Sequence, residues 1–289
     1  MSGNELGESV AAGLGVEVRA LTPVAGGSIN EAWRAELEGG GAAFVKSRSD
    51  APEDEFAAEA AGLAWLGGAH AVRVPLVLAR GGNPAWIALD WIEHGALSPA
   101  GEVELGPALA ALHRSGAARH GELPPGSPDM VLRVGSVGIE LEPADEWPSL
   151  YAQQLLLPLV RRAGDAGRLS AADAESVERV CARIDAVAGP PEPAARLHGD
   201  LWSGNVLADA SGDAWLIDPA AYGGHREVDL AMLRLFGSPG ERLFNAYDEA
   251  HPLADGHAER VELWQIFPLL VHAVLFGGGY GGAAGAAAR

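Results

Sequence analysis

Cysteine is almost absent from this chain of 289 residues, in which Cys181 is the one example. A lone cysteine cannot form a disulfide within the chain, which excludes a disulfide-stapled secreted fold and fits a reducing cytoplasm. No run of about 18 consecutive apolar residues occurs, so we expect no transmembrane helix. The opening residues lack the basic start and apolar centre of a secretory signal, so we expect none there.

Positive charge is also scarce. The chain carries 20 Lys and Arg against 39 Asp and Glu, a formal net charge of −19. This balance argues against nucleic acid and anionic membranes as partners, because both repel an acidic protein. It is compatible with a cationic substrate and it also serves solubility, so both interpretations stay open. The hydrophobic fraction of 48% is enough for a sizeable core in one large domain or two lobes.

The most informative stretch of the chain reads HGDLWSGN and begins at His198. It places a carboxylate, Asp200, five residues ahead of an amide, Asn205, and a second carboxylate, Asp218, follows thirteen residues later. Phosphoryl transfer from ATP needs such a set, because one Asp accepts the proton of the attacking hydroxyl while an Asn and a second Asp hold the metal ions. Each residue alone also fits a cap or a turn. The complete string favours the phosphotransferase interpretation.

The first ninety or so residues are predicted to form a small antiparallel sheet with one inserted helix. Apolar runs separated by glycine turns predict strands at 16–24, 30–37, 42–46, 74–79 and 85–91. Acidic residues in a first turn and apolar residues on one face predict a helix from Glu53 to Leu66. The sequence therefore predicts an α+β fold.

Helical spacing dominates the remainder. It predicts helices around 105–112, 177–187, 227–236, 241–250 and 257–276. The exception is 196–218, where two short apolar runs flank a Ser-Gly-Asp turn and predict a hairpin. We expect a long ordered loop at 117–147, which is rich in Pro and Gly, and a flexible tail from Gly277 onward.

Lys46 ends a predicted apolar strand, and Glu59 lies thirteen residues later on the predicted helix. A lysine that pairs with a helix glutamate is held extended, where it can reach the α- and β-phosphates of ATP. The alternative is an unrelated lysine and glutamate on the surface. The presence of Asp200, Asn205 and Asp218 favours the pair.

Gly26, Gly27 and Ser28 form a turn between the first two predicted strands. Missing side chains there let backbone N–H groups approach phosphate oxygens. The turn matches neither of the common phosphate-binding fingerprints, and a Gly-Gly pair also serves simply to turn a chain. Its place ahead of Lys46 favours a nucleotide-binding role.

Asp90, Trp91, Ile92 and Glu93 end the last strand of the predicted sheet. A hinge at this point offers backbone N–H and C=O groups to adenine, so the prediction depends on position and not on side-chain type. Trp202 lies two residues after Asp200. It would either stack on a sugar beside the catalytic loop or belong to the core, and both interpretations stay open.

These residues resemble a known family, the fructosamine kinases or ketoamine kinases. The resemblance is carried by the runs from His198 to Val206, from Ile217 to Ala220 and from Tyr222 to Ala231. Further support comes from the glycine turn, the strand that ends at Lys46, residues 55–66 and the run from Phe276 to Tyr280. Aminoglycoside phosphotransferases and choline kinases share the His-Gly-Asp, Asn and Asp core, whereas Trp202 inside the loop sets the ketoamine kinases apart.

The resemblance implies a two-lobed protein-kinase-like fold, with a small nucleotide-binding sheet lobe at 1–92 and a larger helical lobe for catalysis and substrate binding at 93–289. It implies phosphorylation of a sugar hydroxyl on a fructosamine or another glycated amine, with ATP and Mg²⁺. A 3-phosphate makes such an adduct unstable, which associates the family with protein deglycation. Carried over by position, the base would be Asp200, the metal ligands Asn205 and Asp218, the phosphate clamp Lys46 with Glu59, and the sugar-facing residue Trp202.

Residues 128–139 depart from the pattern of the family in a region that concerns the acceptor. An aminoglycoside or another amino-alcohol is therefore the alternative acceptor. A nucleotide-binding pseudokinase is the alternative outside enzymes, although the intact set of Lys46, Asp200, Asn205 and Asp218 argues against it. We expect a cytoplasmic monomer that acts on a small molecule and has neither nucleic acid nor membrane as a partner.

Overall fold

An antiparallel sheet with a helix on each face forms the N-terminal part of the chain. The structure, a computed structural model, describes residues 3–25, 30–49, 51, 55–83, 85–237 and 239–289. In chain order the elements of this part are α1 (Gly3–Leu14), β1 (Val18–Pro23), β2 (Glu31–Leu37), β3 (Ala42–Arg48), α2 (Glu55–Gly67), β4 (Val77–Gly82) and β5 (Ala85–Asp90). The five strands lie in the order β1-β2-β3-β5-β4. The five predicted strands and the predicted helix are confirmed, with ends that differ by a few residues.

Alternation along β3 sends its side chains to two different cores. Ala43 and Val45 pack with α1, whereas Phe44 packs on the opposite face with the residues of α2 and β5. Lys46 has the same parity as Phe44, so its side chain emerges on the α2 face. This register is what directs a lysine on a central strand toward a helix.

Helix α1 was not predicted, although the sequence contains a signal for it. Leu6, Val10 and Leu14 recur every four residues and pack against the sheet beside Trp86. The Trp86 indole Nε1–H donates to Ser9 Oγ over 2.9 Å, which ties the helix to β5. The prediction that this part of the chain contains only one helix is therefore wrong, since α1 is a second one.

The remainder is mainly helical. Its elements are α3 (Pro99–Arg114), β6 (Val131–Val134), β7 (Val137–Glu140), α4 (Trp147–Leu150), α5 (Leu157–Asp165), α6 (Ala171–Cys181), α7 (Ile184–Val187), β8 (Ala195–Leu197), β9 (Val206–Ala208), β10 (Ala214–Leu216), β11 (Tyr222–Gly224), α8 (Glu227–Leu233), α9 (Glu241–Ala250), α10 (Val261–Phe276) and α11 (Tyr280–Ala287). A π-helical segment (Tyr151–Leu156) joins α4 to α5, and a 3-10 turn (Ser203–Asn205) precedes β9. The predicted helices are present, although 177–187 is divided between α6 and α7.

Two expectations for this part are wrong. Residues 117–147 are not one long loop, because β6 and β7 pair as an antiparallel hairpin and bury Leu132 and Ile139 in the main core. The tail is not flexible in character, because α11 lies against α6. A Cβ added to Gly281 would lie 2.1 Å from the carbonyl oxygen of Arg168, so the small residues of the tail permit close packing.

Short strand pairs position the loops that matter for function. β8 pairs with β11, and β9 pairs with β10, both antiparallel. The segment from His198 to Asn205 connects β8 to β9, and Asp218 lies between β10 and β11. The two pairs therefore bring segments distant in sequence to one place. Among the described residues, no helix combines the length and apolar character needed to cross a membrane.

Candidate active site

Asp200 and Asn205 are linked by a tight turn of the backbone. Asn205 Nδ2 donates to the Asp200 carbonyl oxygen over 2.8 Å and to Asp200 Oδ2 over 3.1 Å. Gly199 precedes them with a φ of +81°, and a Cβ there would lie 1.9 Å from the carbonyl oxygen of Ala220. Only glycine fits this left-handed position, so the glycine of the motif is required by the geometry.

The Asp200 carboxyl group has an unusual proton affinity. Burial raises its pKa to about 7, and the nearby negative charges of Asp218 and Asp229 act in the same direction. The hydrogen bond from Asn205 and the charge of Lys46 oppose this rise. A carboxylate with a pKa near neutrality is well matched to accepting a proton in catalysis.

Lys46 connects the sheet to the loop that carries Asp218. Its Nζ lies 2.8 and 2.9 Å from the two carboxylate oxygens of Glu59 and 3.0 Å from Asp218 Oδ1, so the contact predicted between Lys46 and Glu59 is present. The lysine is buried, with 6% of its surface exposed. Burial alone would lower its pKa, but the charges and hydrogen bonds of Glu59 and Asp218 raise it above the ordinary value, so the ammonium stays charged.

Asp218 adopts a backbone conformation that is uncommon for a residue with a side chain. Its φ is +56°, in the left-handed region. Such a conformation costs roughly 1–3 kcal/mol and persists only where surrounding contacts impose it. Ile217, the residue before it, donates its N–H to the carbonyl oxygen of Asn205 over 3.1 Å. The chain thereby places the Asp218 carboxylate beside Lys46 and close to Asn205.

A buried carboxylate to which sequence analysis gave no role holds the loop that begins at His198. Asp229 on α8 accepts hydrogen bonds from the backbone N–H groups of His198, over 2.7 Å, and Gly199, over 2.9 Å. His113 Nε2 lies 3.3 Å from the same carboxylate, and its Nδ1 lies 2.8 Å from the Tyr247 hydroxyl. Because a carboxylate only accepts, His113 Nε2–H is the donor in its contact with Asp229. Asp229 stands in the family-like run, but nothing in the sequence pointed to its partner.

His198 is a structural residue of the loop. Its ring is fully buried and Nε2 lies 2.9 Å from the carbonyl oxygen of Ile217. Burial lowers its pKa, although the charge of Asp229 opposes the change. The ring is therefore neutral and ties the Asp200 loop to the segment that leads to Asp218.

Trp202 borders an aromatic cluster beside the loop. Its side chain is 37% exposed and meets the ring of Phe236 edge-on, with centroids 6.4 Å apart. Phe236 lies 4.6 Å from the ring of His272, which lies 5.1 Å from Tyr280. The Trp202 ring also covers Gly204, where a Cβ would lie 2.2 Å from it. The exposure of Trp202 does not match a core residue. Sequence analysis missed the aromatic cluster of Phe236, His272 and Tyr280 because these residues come from distant elements.

The predicted hinge follows β5 directly. The carboxylate of Asp90 accepts from the N–H of Leu76 over 3.0 Å. Trp91 Nε1 donates to Glu93 over 2.9 Å, and the guanidinium of Arg34 lies 5.2 Å from the Trp91 ring centroid. These side chains are therefore engaged with their neighbours, while the backbone of 91–93 belongs to no helix or strand. Gly26, Gly27 and Ser28, the predicted phosphate turn, lie outside the described residues.

Comparison with known proteins agrees with this site. The sequence pattern of the fructosamine kinase family matches residues 7–288. A protein of Thermus thermophilus named a probable ketoamine kinase is 34% identical over 279 residues, which cover 94% of each chain. A crystal structure from Thermobifida fusca, provisionally named a fructosamine-3-kinase, has a TM-score of 0.90 at 40% identity and covers 100% of this chain and 98% of that one.

The fold extends to more distant phosphotransferases. A macrolide 2'-phosphotransferase of Brachybacterium faecium has a TM-score of 0.67 at 20% identity and covers 99% of this chain and 98% of that one. At that identity the likeness concerns the fold alone, which is two-lobed and kinase-like. The family pattern spans nearly the whole chain, and the identity to the Thermus protein holds over almost its full length. The chain therefore belongs to the fructosamine kinase family of phosphotransferases.

Proposed function

We propose that the chain is an ATP-dependent kinase that phosphorylates a sugar hydroxyl of ketoamines, the adducts of a sugar with an amine. The observation that carries the proposal is the meeting of Asp200, Asn205, Asp218 and Lys46 in one place beside a partly exposed tryptophan. Relatives named ketoamine kinases support the choice of acceptor. We further propose that it acts as a monomer in a reducing cytoplasm.

In this proposal the sheet part, residues 1–92, holds the nucleotide, and residues 93–289 supply the catalytic loop and the acceptor site. Lys46, oriented by Glu59, binds the α- and β-phosphates. The backbone of the hinge from Asp90 to Glu93 would take the adenine edge, and the glycine turn at 26–28 would cover the phosphates. The half-buried end of β5 and the buried ammonium of Lys46 support this arrangement.

Asn205 and Asp218 are the proposed ligands of Mg²⁺, and their chemistry fits a hard cation. The amide nitrogen of Asn205 is engaged with Asp200, which leaves the amide oxygen for a metal. Mg²⁺ is usually held by one or two carboxylates together with substrate phosphates, so a small protein donor set is sufficient. Held by these two residues, the ion would supply positive charge that offsets the negative charge of the phosphates. Asp218 is partly exposed, at 43% of its side chain, and is accessible to such an ion.

Asp200 is the proposed base. Its carboxylate takes the proton of the acceptor hydroxyl while that oxygen forms a bond to the γ-phosphorus. The bond from the γ-phosphorus to the bridging oxygen breaks, and ADP leaves with that oxygen. The raised pKa of Asp200 makes its carboxylate a better proton acceptor than an exposed aspartate. The Asn205 amide donates to both the backbone carbonyl and the carboxylate of Asp200, so the carboxylate is oriented before the acceptor binds.

Trp202, Phe236, His272 and Tyr280 form the proposed acceptor wall. Aromatic faces suit the C–H surface of a sugar and attract a nearby protonated amine. Burial lowers the pKa of His272, so its ring is neutral and does not repel that amine. The wall lies next to the catalytic loop, since Ser203 Oγ donates to the carbonyl oxygen of Phe236 over 2.8 Å.

A direct comparison of acceptors tests the proposal. We expect kcat/KM for fructosyl-lysine to exceed that for kanamycin by at least about tenfold under matched ATP and Mg²⁺, which corresponds to roughly 1.4 kcal/mol of transition-state binding. A polycation needs several free carboxylates, because each desolvated ammonium requires a partner. In 126–139 the one carboxylate, Asp129, is already bound by Arg133 with both contacts at 2.7 Å.

The opposite ranking would replace the ketoamine with an aminoglycoside or another amino-alcohol. ATP binding without turnover of any acceptor in a panel of ketoamines, free sugars and aminoglycosides would favour the pseudokinase alternative. ADP formation measures turnover with every acceptor of the panel. The Asp200→Asn variant is the matched control for background ATP hydrolysis.

A further inference from the structure

We infer that Arg196 is a positioning residue that pins helix α2, and with it Glu59, to the strand that leads into the catalytic loop. The inference rests on the proposed function for its consequence, because the Lys46–Glu59 pair matters only where a nucleotide is bound. Arg196 lies in β8, four residues ahead of Asp200, whereas α2 belongs to the sheet part. A single side chain thus spans from the catalytic strand to the helix that orients the lysine.

The guanidinium of Arg196 contacts the end of α2 and the turn that follows α3. Its Nη1 donates to the carbonyl oxygen of Trp65 over 2.8 Å, near the end of α2. Its Nε donates to the carbonyl oxygen of Gly116 over 3.3 Å, just after α3. The same group lies 4.7 Å from the centroid of the Trp65 ring. It therefore contacts both the backbone and the side chain of Trp65.

The physical reason for this arrangement is the polarity of helix ends. The last four carbonyl groups of a helix have no intrahelical partner and carry the negative end of the helix dipole. Arg196 places a cation at one such end, that of α2, and also donates to the carbonyl oxygen of Gly116 in the turn after α3. Burial lowers its pKa, but a guanidinium stays charged in proteins. The charge is thus kept at the negative end of the α2 dipole.

Helix α2 is otherwise close to the segment that follows Asp218. Gly62 packs there, since a Cβ added to it would lie 3.4 Å from Pro219 and Ala221. Leu66 is fully buried in the same core cluster as Leu201 of the catalytic segment. Glu59 lies on the same helix as Gly62 and Leu66, and its carboxylate contacts Lys46 of β3. A loosened end of α2 would therefore shift the Glu59 carboxylate away from Lys46 and weaken the phosphate clamp.

The test removes the charge and keeps the packing. Arg196→Met should raise the Kd of Mg·ATP by at least about fivefold and lower kcat/KM for ATP similarly, because the clamp is less well ordered. Arg196→Lys should recover most of the loss, since an ammonium keeps the charge and one donor. Arg179→Met, at an exposed arginine of α6 paired with Glu175, is the matched control and should change neither quantity.

A double-mutant cycle separates positioning from general stability. In a Glu59→Ala background, Arg196→Met should change the Kd of Mg·ATP by less than about twofold, because the group through which it acts is gone. An equal loss in both backgrounds, or an unchanged Kd in the single variant, would overturn the inference. Melting temperatures show that each variant is folded, and Arg196→Gln, which also removes the charge, carries the test if Arg196→Met does not fold.

Nucleotide binding needs no acceptor, so the two proposals fail separately. Without ketoamine turnover but with the expected Kd changes, the acceptor assignment fails and the role of Arg196 stands. With ketoamine turnover and no effect of Arg196→Met on Mg·ATP binding, the reverse holds.

Discussion

Two aspartates lie on opposite sides of the loop that begins at His198. Asp200 lies near Lys46 and Asp218, is partly exposed, and has a pKa raised to about 7. Asp229 lies behind the loop with 1% of its surface exposed, and three hydrogen-bond donors converge on its carboxylate. The two aspartates are close to each other in the fold, and each belongs to one of the family-like runs of the sequence, but their surroundings differ.

The difference shows how environment divides labour between identical side chains. The oxygens of the buried Asp229 carboxylate are engaged with two backbone N–H groups and a histidine, so this side chain holds the loop together. A carboxylate that burial leaves with fewer donors binds a proton more readily and can exchange it with a substrate. Asp229 thus builds the loop and Asp200 is suited to act. Each prediction below would strengthen or break this contrast.

Asp200→Asn is expected to have the largest effect on activity. We expect kcat to fall by at least about 100-fold, the usual contribution of a general base, while ATP binding and the melting temperature stay close to those of the unmodified chain. The amide keeps the shape of the carboxylate but cannot accept the proton. Steady-state kinetics, calorimetry with ATP and thermal melting measure the three quantities. More than about a tenth of the original kcat would show that Asp200 is not the base.

Asp218→Ala should also lower activity strongly, but for a different reason. Loss of the metal-binding carboxylate should remove the dependence of ATP affinity on Mg²⁺, since the phosphate charge then lacks its counter-ion. ATP titrations with and without Mg²⁺ measure this. Because Asp218 also contacts Lys46, Asp218→Asn is the matched control that keeps the shape. An undiminished Mg²⁺ dependence in both variants would reject the metal role.

Lys46→Met and Glu59→Ala should each lower kcat/KM, and the double variant should lose far less than the two losses combined. The two side chains are in contact, and Glu59 is expected to act only by orienting Lys46. The measurement is kcat/KM for ATP in the four members of the cycle. Additive losses would mean that Glu59 does not work through the lysine.

Asp229→Asn should affect stability and activity together. The amide would direct N–H groups at a backbone donor of the loop, and a buried unsatisfied group costs about 1–3 kcal/mol. We therefore expect a loss of about 2 kcal/mol in the free energy of unfolding, measured by denaturant titration, with reduced kcat. Glu241→Gln, which breaks an exposed pair with Arg234, is the control and should cost less than about 1 kcal/mol. A fully stable Asp229→Asn variant with normal kcat would remove the contrast with Asp200.

Trp202→Ala should have the smallest effect on the protein as a whole. At 37% exposure its truncation should cost little stability, whereas a core tryptophan costs about 3–5 kcal/mol. We expect the KM of the ketoamine to rise more than that of ATP, because the indole faces the proposed acceptor. Melting temperature and the two KM values decide between the roles. A large fall in melting temperature with an unchanged acceptor KM would return Trp202 to the core.

The parts of the site that sequence analysis predicted are those that local spacing determines. Asp200 and Asn205 are five residues apart, and the turn that joins them brings amide and carboxylate together. The strand pattern around Lys46 fixes the face on which its side chain emerges. The Lys46–Glu59 contact was predicted because Asp200, Asn205 and Asp218 favoured a lysine that pairs with a helix glutamate, and the contact is present. These predictions depended on residue types at short spacings, which are visible in the sequence itself.

The misses share a different physical origin. Helix α11 has no apolar stripe, because its packing depends on glycine and alanine fitting closely against α6. In the sequence, Asp229 looks like any aspartate in the first turn of a helix. Its role is visible only in the fold, where the backbone N–H groups of His198 and Gly199, 31 and 30 residues earlier in the chain, donate to it. The sequence by itself therefore determined the fold class, the family and the local catalytic set. Tertiary structure alone decided which carboxylate is buried and hydrogen-bonded, which tryptophan is exposed, and which arginine connects β8 to α2. The physical reason is that polar side chains take their roles from partners that only folding brings close.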